Sequence, residues 1–181
     1  AYYFVAKALK WFEEQHNLTL GQHLDVKIHI GGNKPTNAAF YYDYNVRLGE
    51  GDGKLYKGIP RDPTIVVHEV AHAFVEYLSG LSFQGEAGSY SEAVADFFTA
   101  CLFGTPEIGT YAYLANPYVR TLQNDLQAWQ DFNGRKYGDS LVISGTFWDL
   151  KEIFGEDKAM KLAIHFLVRL GPGGVFRDFN S

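Results

Sequence analysis

Three things are scarce in this sequence. Cysteine is the first: Cys101 stands alone among 181 residues, which excludes an intrachain disulfide framework. It lies in the apolar run from Ala95 to Phe103, the setting of a small core residue rather than a reactive thiol. Clustered positive charge is the second. Sixteen basic residues against 21 acidic ones leave a net charge of −5, with neither a basic stripe for nucleic acid nor a Lys/Arg cluster for an anionic membrane. Long apolar runs are the third, so no membrane span is expected. There is also no internal repeat and no low-complexity tract.

What is present is an ordinary globular composition, 46% apolar and 20% charged, with an unusual 16% of aromatic residues. The length suits one domain with a real core, or two small lobes sharing a cleft. Residues 2 to 15 carry Val5, Ala8, Leu9 and Phe12 at helical spacing. Residues 24 to 30 alternate, with Leu24, Val26, Ile28 and Ile30 opposed to Asp25, Lys27 and His29, the pattern of a half-buried strand. A turn at Gly31–Pro35 leads to a β-prone stretch from Ala38 to Tyr44, a loop at Gly49–Gly53 and a short strand over Leu55–Ile59.

The character then becomes helical. Asp62-Pro63 is a helix start, with Asp as cap and Pro in the first turn, and the helix runs from Thr64 to Leu78, closing at Gly80. A second is expected from about Tyr90 to Phe103 with Ser89 as its cap. Helical turns broken at Pro117 are expected over 110 to 130. Two late helices, about 141 to 154 and 157 to 170, are separated by Gly155 and stopped by Gly171-Pro172-Gly173-Gly174. Strands early and helices late predict an α+β fold with two lobes.

The strongest chemical signal is His68-Glu69-Val70-Ala71-His72. On a helix, positions i and i+4 lie one above the other, so both imidazoles reach one metal ion and Glu69 projects beside them toward a bound water. By chance this pattern arises in on the order of one in two hundred chains of this length. Its flanks, Ile65-Val66-Val67 and Ala73-Phe74-Val75, make the helix apolar nearly all round and therefore buried. Two buried histidines and a glutamate need partners, and a metal supplies one.

A catalytic zinc takes three protein ligands and one water, so a third ligand must come from elsewhere. Glu92 and Asp96 sit one turn apart on the apolar segment Ser89–Leu102. Glu92 on zinc, with Asp96 hydrogen-bonded behind a ligand histidine, would satisfy both carboxylates. Ser89 and Glu92 also have the spacing of a capping box, in which the glutamate only caps the helix. His165 is a further rival ligand.

These residues resemble the thermolysin-like zinc metallopeptidases, whose third ligand is a glutamate. That group carries HExxH on one helix and E-x-x-x-D on the next. The stretch from His68 to Asp96, HEVAHAFVEYLSGLSFQGEAGSYSEAVAD, is similar throughout without insertion or deletion. Upstream, NAAFYY at 37 to 42 followed by GEGDG resembles the edge strand that pairs with substrate backbone. The likeness runs from Ala1 to about Leu150.

The resemblance implies one zinc ion on His68, His72 and Glu92, Glu69 as catalytic base, and Asp96 behind a ligand. It implies substrate held along Ala38, Ala39, Phe40 and Tyr41, and Arg120 as the arginine that hydrogen-bonds a substrate carbonyl. Tyr137 falls where the family has an oxyanion-steadying histidine, and Phe83 where it has a tyrosine. Both are departures. The acidic calcium cluster is reduced to Glu107, so calcium is not expected there.

The fold implied is zincin-like: a small mixed N-terminal sheet with helices, an active-site helix at the cleft, and a reduced all-α C-terminal lobe. The lobes of this single 1–181 domain would divide at about residue 80. The activity implied is an endopeptidase using metal-activated water, with Ile65, Val119 and Tyr56 lining a pocket for an apolar residue just after the cleaved bond. The alternatives are a zinc-binding module with weak or no catalysis, or an exopeptidase of the same group. The expected partners are a peptide or protein substrate and no nucleic acid. A monomer, secreted or periplasmic, is the expected form.

Overall fold

The computed structural model describes residues 1–172, the side chain of Trp129 aside, so the predicted stop residues Gly173 and Gly174 lie outside the described residues. Helix α1 (Tyr2–His16) buries Val5, Ala8 and Phe12, spaced to keep one face inward. It ends on Asn17 in the left-handed conformation, whose backbone N–H returns to the Glu13 carbonyl. Strands β1 (Asp25–Ile28), β2 (Ala39–Tyr42) and β3 (Asn45–Leu48) form a sheet in the order β1-β3-β2. β1 runs parallel to β3 and β2 antiparallel to it, so the sheet is mixed and β2 is an edge. Along β1, Asp25 and Lys27 are exposed and Val26 and Ile28 half-buried, the alternation the sequence predicts.

β3 is not foreseen by the pattern of residues. The connection to it is Asp43-Tyr44, both with positive φ (47° and 55°), as in the two-residue hairpin turns that usually carry Asn or Gly. The Tyr44 backbone N–H donates to the Tyr41 hydroxyl at 3.0 Å, which helps hold a turn without glycine. The strand expected over Leu55–Ile59 is reduced to a bridge between Tyr56 and Tyr113; Ile59–Arg61 is a 3-10 turn.

Helix α2 (Pro63–Ser79) carries the histidine motif and closes at Gly80, as expected. Its start is fixed by Asp62, whose Oδ1 accepts the backbone N–H groups of Thr64 and Ile65 at 3.0 and 3.1 Å. Helix α3 (Gly85–Phe103) begins five residues before the expected start, with Gln84 rather than Ser89 at its cap position. Ser89 lies inside the helix and donates to the Gly85 carbonyl at 3.4 Å, so the capping-box reading of Glu92 fails.

The helical turns expected over 110 to 130 are mostly absent. The segment holds the short strands β4 (Glu107–Ile108) and β5 (Arg120–Thr121) and one helical turn, α4 (Ala128–Asp131). Asp62 and Thr64 supply the reason: their side chains accept the backbone N–H groups of Tyr111, Ala112 and Gly109, donors a helix would have used internally. Helix α5 (Lys136–Phe154) also starts earlier than expected and therefore contains Tyr137. Asp139 accepts the Asn133 and Gly134 N–H groups at 2.8 and 3.0 Å from within the helix. Gly155 separates it from α6 (Glu156–Leu170), as predicted.

The chain divides into two compact units, residues 1–73 with 107–120, and residues 74–106 with 121–181. The sequence places the division at about residue 80 and leaves 107–120 in the second lobe. In the first unit Val46, Leu48, Ile59, Val66 and Phe12 are buried. In the second, α3 packs on α5 and α5 on α6. Phe97 stacks on Phe147 at 5.3 Å, and Phe166 meets Phe147 edge-on at 5.8 Å. Cys101 is buried there. Burial, then the nearby Glu156 carboxylate, push its thiol pKa up, partly offset by Lys151. Among the described residues no helix is long and apolar enough to cross a membrane.

Candidate metal centre

α2 sets its histidine motif in an apolar, buried helix. Val66, Val67, Val70, Ala71, Ala73 and Phe74 are all at most 1% exposed, and His68, Glu69 and His72 are buried among them. One turn apart, the two imidazoles meet at 82° with their Nε2 atoms 3.1 Å apart. Two zinc–nitrogen bonds of about 2.0–2.1 Å at the tetrahedral angle would put those nitrogens about 3.3–3.4 Å apart. The pair is thus within a few tenths of an ångström of a chelating arrangement. The Tyr41 ring from β2 stacks on His72 at 6.1 Å and 24°, fixing that imidazole's plane.

His68 is held from its other side. Arg120 Nη2 lies 3.4 Å from His68 Nδ1 and 3.5 Å from Nε2, so the guanidinium is shared along the ring rather than committed to one nitrogen. Arg120 reaches it because the preceding loop is anchored on α2. Gly109, with φ +80° and Val119 Cγ2 at 2.4 Å from any added Cβ, makes the tight turn that donates to Thr64 Oγ1. Tyr56, from the bridge to Tyr113, lies within electrostatic reach of the same guanidinium. Burial and then Tyr113 push its hydroxyl pKa up, and Arg120 opposes them.

In the second unit, α3 is buried continuously from Ala87 to Cys101 and carries Glu92 and Asp96 on one face. Glu92 Oε1 pairs with Lys136 Nζ at 2.6 Å. Lys136 gets there over Gly88, one turn before Glu92. A Cβ at Gly88 would stand 2.7 Å from the Phe83 carbonyl oxygen and 3.5 Å from Lys136 Cδ. The approach to the Phe83 carbonyl is what requires glycine; the Lys136 contact would be an ordinary one. Nothing in the sequence pattern points to Lys136; the signal is non-local, a lysine one residue before the position that resemblance selects.

His68, His72 and Glu92 together can hold a metal ion: one ligand atom from each lies within 4.8 Å of the others. Two imidazoles and a carboxylate, all buried, are a donor set suited to zinc. The rival ligand His165 is exposed on α6. Tyr137 is 61% exposed, with its ring beside the ammonium of its own neighbour Lys136 at 5.3 Å. Of the candidate substrate strand, Phe40 is exposed and Tyr41 buried, with Ala38 and Ala39 between those extremes. Phe83 is half-buried before α3.

Residues 1–76 match the family model described as "Thermolysin metallopeptidase, catalytic domain". That N-terminal part of the chain is similar to the thermolysin family. His68, Glu69 and His72 fall inside that match, and Glu92, Asp96, Arg120 and Tyr137 beyond it. The chain is 31% identical over 102 residues to a zinc metalloproteinase of Listeria monocytogenes, covering 54% of this chain and 20% of that protein. It is 34% identical over 108 residues to neutral protease B of Bacillus subtilis, covering 58% of this chain and 20% of that one. The matched part thus spans about a fifth of the length of these curated relatives. The fold is similar to that of the precursor of protealysin, a metalloproteinase from Serratia proteamaculans. The TM-score is 0.80 at 18% identity, over 98% of this chain and 68% of that one. At that identity the likeness establishes the α+β fold alone.

Proposed function

We propose that this chain is a zinc-dependent endopeptidase whose metal is held by His68, His72 and Glu92. The observation that carries the reading is the 3.1 Å separation of the His68 and His72 Nε2 atoms on a buried helix, with Glu92 completing the set. When bound, zinc supplies a Lewis acid that makes a water nucleophilic near neutral pH. Glu69, next to His68 on α2, takes the proton of the attacking water and passes it to the departing amine. Arg120, which lies beside His68, donates to a substrate carbonyl oxygen. Asp96, fully buried one turn after Glu92, orients a ligand histidine.

Ala38 to Tyr41 include the start of an edge strand, which suits an extended peptide joining as an added strand. Ile65, Val119 and Tyr56 favour an apolar residue just after the cleaved bond. Tyr137 steadies the oxyanion if its ring turns in from its exposed position. Family resemblance supports a secreted or periplasmic location and a monomeric form.

A second reading is a zinc-binding module with weak or no catalysis. It is favoured by the exposure of Tyr137 and by Phe83, which removes a second hydroxyl. Unfolded casein separates the two. Chelator-sensitive cleavage by the wild type, lost in Glu69→Gln with zinc still bound, is the expected result. Wild-type protein that binds zinc and leaves casein intact supports the module. A Glu69→Gln variant with full activity removes Glu69 from the role of base.

A further inference from the structure

Glu92 is 8% exposed, and a carboxylate so buried requires a counter-charge. Lys136 provides it at 2.6 Å from one oxygen, Oε1. The contact is built into the fold. Lys136 is the first residue of α5, and its side chain crosses α3 at Gly88, where a Cβ would already meet the Phe83 carbonyl. The Lys136 side chain is only 29% exposed, so its charge is partly withdrawn from water, and the pairing is stronger than at an exposed site.

The same carboxylate serves the candidate metal centre. A cation already holding one oxygen has two consequences there. It keeps Glu92 in place when no metal is bound. It also competes with a dication, by drawing charge from the ligand and by direct repulsion.

Resting on the metal-centre reading above, we propose that Lys136 is a positioning residue that holds Glu92 by one oxygen and sets the zinc affinity of the site. Removing the ammonium takes a close counter-charge from the buried carboxylate, costly in the metal-free protein, and lifts the repulsion in the loaded one. Zinc binding then tightens while the metal-free fold weakens.

The test measures zinc affinity by competition with a chromophoric chelator, and melting temperature with and without zinc. It uses the wild type, Lys136→Met, Lys136→Gln, Lys136→Arg and the double variant His68→Ala/His72→Ala. Lys136→Met and Lys136→Gln each remove the charge, so either one that folds suffices. Their zinc affinity is expected to rise on the order of tenfold or more, with Lys136→Arg close to wild type. Their melting temperature is expected to fall in the metal-free form and recover with zinc, widening the gap between the two forms. Wild-type binding with unchanged or weaker binding in the charge-free variants overturns the role of Lys136 and leaves the metal centre standing. An equal fall in melting temperature with and without zinc also overturns it, because that marks a merely structural contact. Zinc uptake by no variant above the double-histidine control overturns the metal centre itself.

Discussion

The Asp62 carboxylate accepts the Ala112 backbone N–H at 2.8 Å, across fifty residues of chain. The same fully buried side chain caps α2 through Thr64 and Ile65 and also holds Tyr111. One residue therefore sets both the start of the histidine helix and the loop leading to Arg120. Asp62→Ala removes the cap and strands buried donors, and is expected to cost about 2–5 kcal/mol of stability. Chemical denaturation checks this. A loss under about 0.5 kcal/mol, the range of ordinary surface changes, would mean that water replaces the carboxylate.

Arg120 is tied to His68 by a contact shared between two ring nitrogens, so it is not needed to hold the imidazole in one tautomer. Arg120→Ala is expected to keep zinc and lower peptide cleavage on the order of a hundredfold, the usual scale for a lost oxyanion or carbonyl donor. Parallel zinc and cleavage assays decide it. Loss of zinc together with activity would make Arg120 a support of the metal ligand instead.

Cys101 is buried with its thiol pKa raised, so the thiolate that reacts with disulfide reagents is scarce at neutral pH. Native protein is expected to react at least about a hundredfold slower than unfolded protein, which should release one thiol per chain. Rapid labelling of the folded chain would contradict its place in the α3 core.

Asp52 Oδ1 accepts the N–H groups of Lys54 and Leu55, both at 2.8 Å. The Leu55 bond first, then Lys54 and Asn37, hold its pKa well below the usual carboxylate range. A lowered folded-state pKa contributes stability above the unfolded value of about 3.9 and loses it as pH falls through the folded value. Asp52→Ala should therefore melt below the wild type at neutral pH, with the gap closing in strong acid. A gap independent of pH would show that the loop, not the charge, is responsible.

What the sequence discloses and what it hides follow from range. The spacing of His68 and His72 is enough to align two imidazoles because helix geometry is local, and Asp62-Pro63 announces its own cap. Gly155 marks the break between α5 and α6 for the same reason. β3 is hidden because the Asp43-Tyr44 turn takes positive φ without glycine, its Tyr44 N–H held by Tyr41. The irregular course of 109–112 is hidden because Asp62 and Thr64 bond its backbone from 45 to 50 residues away. Ser89 misleads for a subtler reason: its spacing from Glu92 is that of a capping box, yet the helix has already begun at Gly85. Lys136 is invisible in any linear pattern, since its significance lies in a partner 44 positions earlier that it reaches past Gly88.

X-ray absorption at the zinc edge of the loaded protein tests the central claim most directly. It should show two imidazole nitrogens at about 2.0–2.1 Å with oxygen donors at about 2.0–2.2 Å, and the imidazole signal should weaken in His72→Ala. A spectrum without imidazole scattering, or one unchanged by that substitution, would contradict the assignment of His68 and His72 as metal ligands.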